Sequence, residues 1–88
     1  MRAYNGNNFQ RQISFFHQNV PGKTTSPADQ ICEIETVISK LCPDVLIVSE
    51  ADTNLVCNWD YPGYKSFRGH LKGGSLVRVS AVVKASLL

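Results

Sequence analysis

A single amphipathic helix set between two short apolar runs constrains this chain more than any other feature. The first run is Ile13-Ser14-Phe15-Phe16-His17-Gln18-Asn19-Val20 and the second is Val45-Leu46-Ile47-Val48. Between them, Ser26-Pro27-Ala28-Asp29 is a helix start. Ser26 is suited to cap, Pro27 fits the first helical position, and Asp29 falls three residues after the cap to close a capping box. Ile31, Ile34, Val37, Ile38 and Leu41 follow at helical spacing, flanked by Cys32 and Cys42, while Glu33, Glu35, Ser39 and Lys40 take the wet side. Pro43 ends the helix and pushes Cys42 out of helical geometry. A strand, a crossover helix and a second strand lay two strands side by side and parallel, through a right-handed connection. Their C-terminal ends then share one edge of the sheet, and Asn19 and Glu50 are expected together there.

The rest of the chain reads as one small domain of 88 residues. Residues 1–11 form a loose polar lead-in and 12–88 the folded portion. The first strand is expected over Ile13 to Val20, covered on both faces because Phe15 and Phe16 point opposite ways. The unbroken run at Val45 to Val48 suits an interior parallel strand, also covered on both faces. Ala51 to Asn58 is either a helical turn or a loop. Trp59-Asp60-Tyr61-Pro62-Gly63-Tyr64 is a turn with three aromatic rings, and Tyr64 to Phe67 a short strand. Gly69 to Gly74 is a loop, its Gly73-Gly74 pair giving the backbone freedom at a hairpin. Ser75 to Leu88 reads as a long strand whose alternation slips once, at an expected bulge. The fold class is α/β (α+β), a strand–helix–strand unit followed by a β-hairpin.

Charge and cysteine usage narrow the setting. A net charge of +2 does not by itself single out a nucleic-acid binder. Yet Lys65, Arg68, Lys72, Arg78 and Lys84 all follow Asp60 with no acid among them. Such a hairpin either faces a polyanion or is a solvated edge. Three cysteines without CxxC spacing point to a reduced, intracellular chain, with the helix-borne Cys32 and Cys42 read as small buried apolar groups. No apolar run reaches the roughly 18 residues a membrane span requires. The polar stretch Met1 to Gln12 does not make the apolar core of a signal peptide.

Chemistry concentrates at the strand ends. A glutamate just past an apolar strand is either a plain surface residue or a metal anchor. Mg²⁺ is held by one or two carboxylates, with water and substrate phosphate completing its shell. Glu50 meets that requirement, and Asn19 either orients the carboxylate or simply terminates its strand. His17 and His70 are general bases, phosphate ligands or structural residues. Trp59, Tyr61 and Tyr64 either stack on bases or cover the core. The chain has no nucleophile elbow, Walker loop or zinc-ligand spacing.

Three segments in order carry a family resemblance: Phe16-His17-Gln18-Asn19-Val20-Pro21-Gly22, then Cys42-Pro43-Asp44-Val45-Leu46-Ile47-Val48-Ser49-Glu50, then Gly63-Tyr64 and Gly73-Gly74 ahead of a strand. Over residues 12–88 the chain resembles the endonuclease/exonuclease/phosphatase superfamily, and most of all the endonuclease domain of non-LTR retrotransposons. The resemblance implies a four-layer sandwich, of which this chain would form part, and Mg²⁺-dependent (or Mn²⁺-dependent) phosphodiester hydrolysis on DNA in a nuclear setting. It implies that Asn19 and Glu50 are catalytic and metal-binding. Among the later basic residues, Lys65, Arg68, His70 and Lys72 are the expected DNA contacts. The family's later catalytic segments, an Asp-x-Asn strand end and a terminal Asp-His pair, have no counterpart here. Lys23 follows Gly22 directly, earlier than the lysine of the resembled pattern, and receives no role from it. The expectation is therefore the N-terminal third of a nuclease domain, inactive alone. The alternative is a non-enzymatic module that binds nucleic acid through Lys65, Arg68, Lys72 and Arg78, or that self-associates through an uncovered sheet face or edge.

Overall fold

The computed structural model describes residues 12–69 and 78–88. The lead-in at 1–11, most of the Gly69–Gly74 loop, the first residues of the expected last strand, His70 and Lys72 lie outside the described residues. The order is β1 (Phe15–Asn19), α1 (Pro27–Leu41), β2 (Val45–Ser49), α2 (Thr53–Asn58), β3 (Tyr64–Arg68) and β4 (Val79–Lys84), closed by a 3₁₀ turn at Ala85–Leu87. The four strands form one mixed sheet in the order β1-β2-β4-β3. The fold is α+β.

The helix start forms as its residues dictate. Ser26 Oγ accepts from the Asp29 N–H at 3.2 Å, and Pro27 opens the helix where a missing N–H costs nothing. At the other end Cys42 leaves the helix in the left-handed region, φ 43°, while its N–H still bonds Ile38 O. β1 and β2 then pair in parallel, Phe15 opposite Val45 through Asn19 opposite Ser49. The hairpin strand that docks beside β2 is β4, not β3. It runs antiparallel, with Val45 opposite Val83 and Ser49 opposite Val79.

Alternation along these strands divides the sheet into a covered and an open face. Leu46, Val48, Ser80 and Val82 are buried on one side. Ile31 and Ile34 of α1, Val56 of α2, and Val20, Ala51 and Tyr61 from the connections complete that core. Burying a Leu or Ile contributes about 1.5–3 kcal/mol, so this one cluster supplies most of the driving force. On the other side Phe15 is 67% exposed and Phe67 46% exposed. No second layer covers that face among the described residues.

Several expectations are corrected here. β1 is an edge strand, shorter than Ile13 to Val20, and is exposed along most of its length. Its two phenylalanines decorate an edge and are not sandwiched. β2 is interior in the sheet but covered on one face only, because both helices contribute to the same core cluster. Of the two readings open for Ala51 to Asn58, the helical one holds, with Asp52 Oδ1 accepting from the N–H groups of Asn54 and Leu55. The last strand is shorter than expected, and its pairing with β2 and β3 is continuous, so it carries no bulge among the described residues. Its core face presents Ser80 and Val82. Cys32 and Cys42 are exposed, and all three cysteines are free thiols. Cys32 lies on the flank of the α1 stripe, and the left-handed turn at Cys42 carries its side chain out of the core.

At the edge opposite the strand C-termini, Asp44 joins three elements. It is 4% exposed. Its Oδ2 accepts from Ser14 N–H at 2.9 Å and from Ser14 Oγ at 3.2 Å, and Lys84 Nζ stands 3.5 Å from Oδ1. Ser14 Oγ accepts in return from Asp44 N–H at 2.9 Å. A buried carboxylate is stable only when its acceptor sites are filled in this way. No helix among the described residues is long and apolar enough to cross a membrane.

Candidate strand-end site

The parallel pairing brings the ends of β1 and β2 to one edge, with Asn19 in register with Ser49. His17 and Asn19, two residues apart, point to the same open face of β1. Both reach Ser49. Asn19 Nδ2 donates to Ser49 Oγ at 3.2 Å, and His17 Nε2 lies 2.8 Å from the same oxygen. With Asn19 donating, the Ser49 proton is available to His17 Nε2 in the tautomer that carries its hydrogen on Nδ1. The serine therefore fixes both side chains, and Asn19 keeps its Oδ1 out of that bond.

Glu50 is the next residue, held in an unusual backbone state. Its φ is 66°, in the left-handed region that non-glycine residues seldom adopt. Two backbone bonds hold it there: Glu50 N–H donates to Arg78 O at 2.6 Å, and Glu50 O accepts from Gly22 N–H at 2.8 Å. The side chain is exposed. A cleft of about 320 Å³ opens beside it, lined by Pro21, Gly22, Lys23, Thr24, Glu50 and Arg78. One carboxylate thus stands in a cleft with two basic residues.

Behind the cleft lies Gln30, 2% exposed. Its Nε2 donates to Thr25 O at 2.9 Å and to Gly22 O at 3.4 Å, and its Oε1 accepts from Asp52 N–H at 3.0 Å. Gly22 fits only because it has no side chain. A Cβ there would stand 2.9 Å from both Asp52 N and Glu50 O.

The expected site residues fall into three groups. Asn19 and Glu50 do share one strand-end edge, joined through Ser49. Lys65 and Arg68 are both exposed but stand on opposite faces of β3, since three residues is an odd step along a strand. Arg68 Nη1 donates to Asn54 Oδ1 at 2.7 Å on the helix side, whereas Lys65 pairs with Val83 on the open side. His70 and Lys72 lie outside the described residues. Asp52 is occupied as the cap of α2.

Ser49, Lys23, Gly22 and Gln30 join the site without being expected from the sequence. Gln30 carried a usable signal. With Ile34, Val37 and Leu41 it lies at helical spacing, so a polar residue extends the core-facing stripe by one turn. A polar side chain in that register has to find partners inside.

Among the described residues no three His, Cys, Asp or Glu side chains gather as a metal cluster. The cleft itself offers one carboxylate, Glu50, and the Asn19 amide stands at the neighbouring strand end outside the cleft lining. That fits Mg²⁺, which keeps several waters and takes oxygen ligands from substrate, better than a transition metal that calls for nitrogen or sulfur. Compared with models of protein families, with curated proteins and with solved structures, the chain matches none.

Proposed function

We propose that the strand-end edge binds a divalent cation together with a phosphodiester, in the manner of a metal-dependent phosphodiesterase of the endonuclease/exonuclease/phosphatase kind acting on DNA. The observation that supports this reading best is the Glu50 carboxylate, which has no partner among the described residues and shares a cleft with Lys23 and Arg78. A bound Mg²⁺ or Mn²⁺ supplies a Lewis acid that neutralises charge on a phosphoryl oxygen and acidifies bound water. Glu50 is the residue that would hold it, with Asn19 Oδ1 as the second oxygen. Lys23 and Arg78 would take the remaining phosphate oxygens as point charge and fork. Ser49 keeps Asn19 in place.

No general base stands ready beside this edge among the described residues, because His17 is engaged by Ser49. Cation and phosphodiester binding, not turnover, is the activity expected of these residues alone. The direct test is a Mn²⁺ titration followed by water-proton relaxation, with Glu50→Gln as the variant. Loss of binding in the variant supports the reading, and an unchanged titration rejects it. A gel shift with duplex DNA adds the second half: retention that disappears with EDTA supports a cation-bridged phosphate. Retention that survives EDTA but fades with salt places binding on the basic residues alone. A nuclear location follows from a DNA substrate and belongs to the same proposal.

A second reading is favoured by a separate observation, the open sheet face. Phe15, Val45, Ile47, Ala81, Val83 and Phe67 share it, by register and alternation. A contiguous apolar surface of this kind drives association in water. On this reading the chain is a self-associating module with no catalysis. Sedimentation equilibrium of the chain and of a Phe15→Glu, Phe67→Glu double variant decides it. A self-associating wild type and a monomeric variant support the reading, and a monomeric wild type at high concentration rejects it.

A further inference from the structure

We infer that Gln30 is the positioning residue of the strand-end site, setting where the Glu50 carboxylate points from inside the core. This rests on the reading of Glu50 as a cation ligand, and it adds a residue from a different element that touches neither cation nor phosphate.

Glu50 belongs to a turn whose conformation its own sequence disfavours. A left-handed glutamate is disfavoured because its Cβ crowds the following carbonyl oxygen, so something outside the turn has to hold it. Besides the Arg78 carbonyl that accepts from Glu50 N–H, two segments flank the turn in space. One is the loop after β1, which reaches Glu50 O through Gly22 N–H at 2.8 Å. The other is the start of α2, whose cap Asp52 comes two residues after Glu50. Each is free to move as a surface connection unless it is tied.

Gln30 ties both with one side chain. Its amide nitrogen takes the carbonyls of Thr25 and Gly22, and its amide oxygen takes the N–H of Asp52. A carboxamide offers two N–H donors and an acceptor at one end, the set these three bonds require, which accounts for a glutamine in a register otherwise held by Ile34 and Val37. At 2% exposure the amide works without competition from water, where each bond counts for more. The absent Cβ of Gly22 lets these groups close to contact. The result is a rigid seat for Glu50 built on α1, the longest element in the chain. A cation site needs its ligand oxygen placed to a fraction of an ångström, and supporting shells of this kind supply that.

The test pairs Gln30→Met, which keeps the shape and removes all three bonds, with Ile34→Val, a core change in the same helix that forms none of these hydrogen bonds. Temperature is set so that both variants are folded by circular dichroism. Gln30→Met is expected to weaken Mn²⁺ binding at least tenfold, while Ile34→Val binds as wild type. Equal loss in both, or wild-type binding in Gln30→Met, overturns the inference. Should Gln30→Met not fold, Gln30→Glu takes its place. It retains the acceptor for Asp52 and removes the donor for Gly22 and Thr25, and the same tenfold weakening is required of it. Hydrogen exchange reads the seat without any metal. In Gln30→Met the N–H groups of Gly22 and Asp52 must exchange faster while the β2–β4 amides stay protected; in Gln30→Glu, which keeps the Asp52 acceptor, the Gly22 N–H alone must do so. If the N–H groups named for the variant remain protected, Gln30 is not the tie, whatever the cation does. If they are released but wild-type chain binds no Mn²⁺, the seat stands and the cation reading of Glu50 fails.

Discussion

Asn19 and Ser49, thirty residues apart in the chain, are register partners at the ends of two parallel strands and are joined by a 3.2 Å hydrogen bond from the amide of one to the hydroxyl of the other. The same hydroxyl engages His17. Removing it leaves Asn19 free to rotate without disturbing the strand pairing, which is carried by backbone. Ser49→Ala is therefore expected to weaken Mn²⁺ binding by about two- to tenfold, the equivalent of one neutral hydrogen bond, with little change in melting temperature. A Mn²⁺ titration alongside a thermal melt checks both halves.

Glu50 is the place where binding and stability are expected to oppose each other. Glycine adopts φ near 66° without the Cβ penalty that glutamate carries there. Glu50→Gly should raise unfolding free energy by about 1 kcal/mol while abolishing cation binding. Urea denaturation measures the first and relaxation titration the second. A destabilised glycine variant would show that the carboxylate itself contributes to folding.

Asp44 predicts the opposite pattern, stability without site. It binds the start of β1 and the end of β4 to β2, far along the strands from Glu50. Asp44→Ala leaves Ser14 N–H and Oγ without their carboxylate and Lys84 without its counter-ion. A loss of about 3 kcal/mol follows, a large share of the stability of so small a domain. Chemical denaturation of the variant checks it.

Tyr61 is 2% exposed, and its hydroxyl has no hydrogen-bond partner among the described residues. Burial, then Glu35, then Cys57 push its pKa well above the ordinary tyrosine value of 10.0. Tyr64 is raised as well, by burial first and then by Cys42 and Asp44, while its O–H donates to Pro43 O at 2.7 Å. Both groups hold their protons more tightly folded than unfolded. Below pH 10 neither state ionises them and the full stability is present. As pH rises above 10 the unfolded chain releases these protons first, so stability falls. Melting temperatures measured from pH 8 to alkaline pH should drop beyond pH 10, and less steeply in Tyr61→Phe. At neutral pH that variant should be as stable as wild type or more stable by up to about 1 kcal/mol, since it removes an unsatisfied buried hydroxyl. A clear loss at neutral pH would mean the hydroxyl is bonded.

What the sequence determined by itself is local and periodic. Ser26, Pro27 and the spacing of Ile31, Ile34, Val37 and Ile38 were enough for α1, because caps and amphipathic stripes depend on near neighbours. A helix between two apolar runs was enough for parallel pairing, and so for Asn19 and Glu50 at one edge. Tertiary structure decided what depends on distant partners. It placed β4 beside β2, made β1 an exposed edge, and carried β3 on through Arg68, because strand order and register are set by which faces find cover. It also set Ser49 between His17 and Asn19, and buried Gln30 behind Glu50. Those contacts join residues many positions apart through single hydrogen bonds, and neither composition nor period records them.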